Sequence, residues 1–132
     1  MFEALRISAT GMGAERLRMD VIADNLANAN TTRGPDGQPY QRKEVVLRPA
    51  GGFEAVLNGV EVAAIAPDPS PPRRVYDPGH PDADAQGYVT LPNVNPVTEM
   101  VDLISASRSY EADVTAMNAA KQMFTRTLDI LR

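Results

Sequence analysis

Two stretches of the chain repeat their apolar residues every seven positions. Leu103, Tyr110, Met117, Phe124 and Leu131 form one column, apolar or aromatic throughout. Met100, Ser107, Val114, Lys121 and Leu128 form a second, in which Met100, Val114 and Leu128 are apolar. Columns spaced three and four apart describe an apolar seam along one helix. Near the N-terminus Leu5, Met12, Met19 and Leu26 keep the same period, flanked by Ser8, Glu15, Ile22 and Ala29. Glycine and proline punctuate the remainder. Apart from Gly11 and Gly13, all 9 Gly and 11 Pro fall between Gly34 and Pro96. Both residues interrupt helices, so the chain reads as helix, broken middle, helix.

The ends of these elements carry their own signals. Asn95 can cap a helix, Pro96 suits its first position, and Glu99 favours the positive end of the dipole. That predicts a helix over Val97–Leu131. The N-terminal helix should close within Asn25-Leu26-Ala27-Asn28-Ala29-Asn30-Thr31-Thr32, since Asn tolerates the left-handed turn that ends many helices. Gly11 and Gly13 predict fraying or a bend. Strand candidates in the middle are Glu44–Leu47, Gly59–Ala66, Arg73–Tyr76 and Gly87–Leu91, each bounded by Gly, Pro or Asp. The expected division is an N-terminal helix in residues 1–33, a β-rich insert in 34–94 and a C-terminal helix in 95–132. A 35-residue helix is about 52 Å long, whereas a compact chain of this length has a radius of gyration of about 14 Å. The expected fold class is therefore α+β and elongated: long terminal helices forming a coiled-coil-like core, with a small β-rich insert between them.

Composition removes several functions. The chain has 132 residues, with 13 Lys plus Arg against 17 Asp plus Glu, a net charge of −4. That balance, without a basic cluster, argues against nucleic acid and against an anionic membrane surface. No apolar run approaches the roughly 20 residues that span a bilayer, so no membrane insertion is expected. The first twenty residues carry Glu3, Arg6, Glu15, Arg16, Arg18 and Asp20, which leaves no apolar core for a secretory signal. Cysteine is absent, which excludes disulfides and thiolate chemistry. Asp77, His80, Asp82 and Asp84 sit on one loop, but the bidentate Glu of a calcium loop is missing and a turn role fits better. Asp20 and Asp24 have no partner or cleft for acid–base work, and Ser105, Ser107 and Ser109 have no base beside them. Gly11-Met12-Gly13 does not follow a strand, so a phosphate loop is unsupported. No metal, cofactor or catalytic residue is expected. The helices look too long for the insert to cover. Ala112, Ala116, Ala119 and Ala120 also offer small side chains away from the main seam, which favours packing between subunits.

Some of these segments resemble a known family. Asp24-Asn25-Leu26-Ala27-Asn28-Ala29-Asn30-Thr31-Thr32 resembles the motif ending the N-terminal helix of bacterial flagellar axial proteins, the rod, hook and hook-associated proteins. The segments 76–89, 91–103 and 106–112 resemble more narrowly the proximal rod subunits of the basal body. The likeness covers roughly residues 5–33 and 73–132, with Asp113 standing where Asn is expected. It implies a non-enzymatic structural subunit that polymerises through its terminal helices as part of the drive shaft. It also implies passage through the flagellar type III export apparatus without a cleaved signal peptide, and a place in the rod, in the periplasmic space. The implied partners are further copies of the chain, other rod proteins (FlgB, FlgF and FlgG), the adaptor FliE and neighbouring basal-body ring components. Expected subunit-interface residues are Leu5, Met12, Met19, Ile22, Leu26, Asn28 and Asn30 from the first helix and its end. The second helix adds Met100, Leu103, Tyr110, Val114, Met117, Phe124, Leu128 and Leu131. Alternatives are another rod subunit, FlgB-like or distal, and a soluble helical adaptor or export chaperone.

Overall fold

The computed structural model describes residues 2–51 and 58–130; Leu131 of the first column lies outside the described residues. Helix α1 spans Phe2–Ala27. Strands β1 (Lys43–Pro49), β2 (Val60–Pro67), β3 (Arg73–Tyr76) and β4 (Tyr88–Leu91) follow, and helix α2 spans Pro96–Ile130. β1 pairs antiparallel with β2, with a register shift between Val46 and Leu47. β3 pairs antiparallel with β4 in a second two-stranded sheet. The fold is α+β with terminal helices, as the Gly and Pro distribution predicts.

The start of α2 follows the sequence signals. Asn95 Oδ1 accepts from the Val97 N–H at 3.0 Å, and its carbonyl accepts from the Glu99 N–H at 3.0 Å. This is an N-cap, with Pro96 at the position where a missing N–H costs nothing. The two helices lie antiparallel on each other. Phe2 and Phe124 have ring centroids 5.5 Å apart at one end, and Asn25 bonds to Glu99 at the other. The first column, Leu103, Tyr110, Met117 and Phe124, is half-buried. The deepest burial runs through Glu99, Ala106 and Ala120, one residue ahead of the Met100, Ser107 and Lys121 column. Ala106 and Ala120 let α1 approach closely, which places large side chains on the flanks.

Helix α1 runs through both glycines without interruption. Gly11 faces Asp113 of α2. A Cβ there would lie 2.5 Å from Asp113 Oδ2, so the Asp113 carboxylate would have to turn aside to admit it. Gly13 has no such neighbour, because a Cβ there meets nothing within 4 Å. Gly13→Ala should therefore raise the unfolding free energy by about 1 kcal/mol, the usual helix-interior difference, while Gly11→Ala should gain less because Asp113 must move. Urea unfolding of the two variants checks the order.

The core is thin. Its buried apolar residues among the described ones are mainly Ala and Val: Ala14, Val21, Ala29, Val89, Val94 and Ala106, with Ile22 the largest. The accessible surface is 9046 Å², against about 6,800 Å² for a compact monomer of this mass. The excess reflects a thin-cored chain whose helices and strands are both widely exposed.

Candidate functional site

Two features stand out: a buried polar junction where the helices meet the insert, and exposed helix faces. The junction begins with Asn25, which is 1% exposed. Its amide donates to the Lys43 carbonyl at 2.9 Å and to Glu99 Oε2 at 3.0 Å. Its oxygen accepts from the Lys43 N–H and from the Tyr40 hydroxyl, both at 3.0 Å. Every hydrogen-bonding position of that amide is filled.

Glu99 is fully buried, and its second oxygen accepts from Arg42 Nε at 2.5 Å. Arg42 is the hub. It also contacts Glu44, Asp68 at 3.2 Å and Asp102 at 3.7 Å, and its backbone N–H donates to Asn93 Oδ1 at 2.9 Å. Burial alone would lower the Arg42 pKa. The hydrogen bonds and charges of Glu99 and Glu44 outweigh it, so the guanidinium is held more firmly charged than usual. The Ser70 hydroxyl and backbone N–H, with Arg42, hold the Asp68 carboxyl below its ordinary value.

Tyr40 gives the junction a pH signature. Burial, then the charges of Asp24 and Glu99, raise its pKa above the ordinary 10.0. The folded chain therefore keeps this proton more tightly than the unfolded chain. Stability from Tyr40 is fully present below about pH 10 and is lost as pH rises through the native value. Urea unfolding at pH 9 and 11 should show a fall that Tyr40→Phe reduces.

The same motif reaches the acidic loop. Asn28 Nδ2 donates to the Asp24 carbonyl at 2.9 Å, and its Oδ1 accepts from the Thr31 hydroxyl at 3.1 Å. Thr32 donates to Asp82 at 2.8 Å, and Arg33 pairs with Asp82 at 2.8 Å. His80 Nδ1 accepts from the Asp82 N–H at 3.0 Å, and Asp84 pairs with Arg74 at 2.6 Å. These contacts account for His80, Asp82 and Asp84 as turn-forming groups. Among the described residues no cluster of three His, Cys, Asp or Glu is placed to hold a metal. No described helix is long and apolar enough to cross a membrane.

The expected interface residues fall into distinct settings. Ile22 is buried within the chain. Leu5, Met12, Met19, Leu26 and Asn28 are half-buried, as are Leu103, Tyr110, Val114, Met117 and Phe124, while Asn30 is exposed. Met100 and Leu128 are open, 56% and 50% exposed. The base of α2 adds Val97, Val101 and Ile104, each at least 56% exposed. Asn25, Tyr40, Arg42 and Asn93 were not marked by the apolar period, which says nothing of polar groups. The available signal was Glu99 itself, a carboxylate in phase with Ala106 and Ala120.

Comparison with known proteins meets these observations along both helices. A family model described as "Flagella basal body rod protein" matches residues 5–35. Another, "Flagellar basal body rod FlgEFG protein C-terminal", matches residues 85–130. Together they define the class: a flagellar rod protein whose terminal helices carry the family's sequence. The flagellar basal-body rod protein FlgC of Bacillus subtilis is 48% identical, over 98% of this chain and 97% of its own. FlgC of Borreliella burgdorferi is 46% identical over 100% and 98%, and FlgC of Escherichia coli O157:H7 is 46% identical over 94% and 92%. The chain belongs to the FlgC family of flagellar basal-body rod proteins, and it is a structural rod subunit.

Proposed function

We propose that this chain is a non-enzymatic subunit of the proximal rod, joined to its neighbours through its terminal helices as part of the drive shaft. The observation that carries this reading is the open apolar base of α2. Val97, Met100, Val101 and Ile104 are 70%, 56%, 60% and 56% exposed. An apolar surface of that kind on a thin-cored chain marks a protein contact. Residues 1–33 and 95–132 form the axial part and 34–94 the insert. Of the described apolar residues in the two α2 columns, Met100 and Leu128 are the most open to a neighbour.

The partners of this reading are further copies of the chain, the rod proteins FlgB, FlgF and FlgG, the adaptor FliE and ring components of the basal body. The chain passes through the flagellar type III export apparatus without a cleaved signal peptide and resides where the rod crosses the periplasmic space. Deleting the gene in the source bacterium and restoring it with an epitope-tagged copy tests this. The tagged chain should co-purify with basal bodies, begin at its encoded N-terminus, and restore swimming. A tagged chain that restores swimming yet stays in the soluble fraction would contradict it and favour an export chaperone.

A further inference from the structure

The outward faces of the two helices match each other in charge and size. On α1, Ala9, Gly13, Arg16, Asp20, Ala23 and Ala27 are exposed and follow one another at helical spacing, opposite buried Ala14, Val21 and Asn25. On α2, Val101, Ile104, Arg108, Glu111, Thr115 and Ala119 do the same, opposite buried Glu99, Ala106 and Ala120. These faces point away from each other and cannot meet within one chain.

We propose that the outward face of α1 on one copy docks antiparallel on the outward face of α2 on a second copy; this rests on the rod-subunit reading. One register satisfies every position. With Asp20 opposite Arg108, Arg16 falls beside Glu111. Ala23 and Ala27 then receive Ile104 and Val101, so large side chains meet small ones. Gly13 falls beside Thr115, and Ala9 beside Ala119. Among the described residues, Arg16, Asp20, Arg108 and Glu111 make no ion pair within the chain, so all are available. Gly13, which the chain's own packing does not require, gains a purpose as the point of closest backbone approach. The contact joins unlike faces, so each copy keeps one face free for the next, as an extended assembly needs.

Charge exchange tests the contact. Asp20→Arg and Arg108→Asp should each lower the chain's recovery in purified basal bodies at least tenfold, and the double variant should restore it to within twofold. Rescue has to come from between chains, because the two residues sit on opposite faces of one chain. Normal recovery of either single variant, or no rescue in the double, would overturn the contact. The chain has no cysteine, which permits a second arm. In cells carrying both Ala9→Cys and Ala119→Cys copies, mild oxidation should link the two variants within basal bodies, and neither variant alone should link. Basal bodies holding both variants without a linked pair overturn the contact and leave the rod-subunit reading standing. Absence of the unmodified chain from basal bodies overturns both.

Discussion

Arg42→Ala should lower the unfolding free energy by about 3–5 kcal/mol, the usual cost of removing one partner from a buried ion pair. The size follows from what is left behind. Glu99 is fully buried, and without Arg42 one carboxylate oxygen loses its charged partner. Asp68 and Asp102 lose their cation as well. Arg42→Lys should recover only part of the loss, because an ammonium cannot reproduce the planar fork that reaches several acceptors at once. Arg42→Ala combined with Glu99→Gln should cost less than Arg42→Ala alone, since no buried charge is then stranded. Chemical denaturation of the three variants checks the order. A double variant less stable than Arg42→Ala would refute the explanation.

Met117→Asp and Phe124→Asp should each leave the chain expressed and soluble but remove it from the rod. Both positions lie half-buried on the α2 column that faces α1, and Phe124 packs against Phe2. Lost apolar contact and a carboxylate forced into the seam together cost about 2–3 kcal/mol at a half-buried site. The helix pair should splay there while β1–β2 and β3–β4 keep their pairing, since the Asn25–Glu99–Arg42 junction at the far end is untouched. Because every copy repeats the defect, the rod should not form and cells should not swim. Thr125→Asp, at an exposed position, is the control and should swim normally. Motility with both Met117 and Phe124 replaced would sink the role of this seam.

The helices were legible because their signals are local and periodic. Asn95 and Pro96 mark the start of α2 in sequence as in structure, and the Gly and Pro cluster marks the insert. Strand positions followed from the turn residues that bound them. What the sequence left open was which helix faces meet within the chain. A seven-residue period fits several neighbouring columns. The structure selects Glu99, Ala106 and Ala120: the two alanines allow close approach to α1, and Glu99 is held by Asn25 and Arg42. Glu99 read as a dipole-favouring residue and proved to be a buried ligand of Arg42. That pairing joins residues 57 apart in sequence, and no local rule connects them. Gly11 and Gly13 signalled fraying or a bend, and α1 runs unbroken through both because its packing on α2 outweighs their helix cost.

The most direct measurement is a density map of basal bodies isolated from the source bacterium, at a resolution that traces side chains. The expected map shows this chain in the proximal rod in repeated copies. Its α1 and α2 are paired antiparallel in the rod wall, and the apolar base of α2 is covered by a neighbouring subunit. A complete rod in which this chain is absent, or present with Val97, Val101 and Ile104 open to solvent, would contradict the central claim.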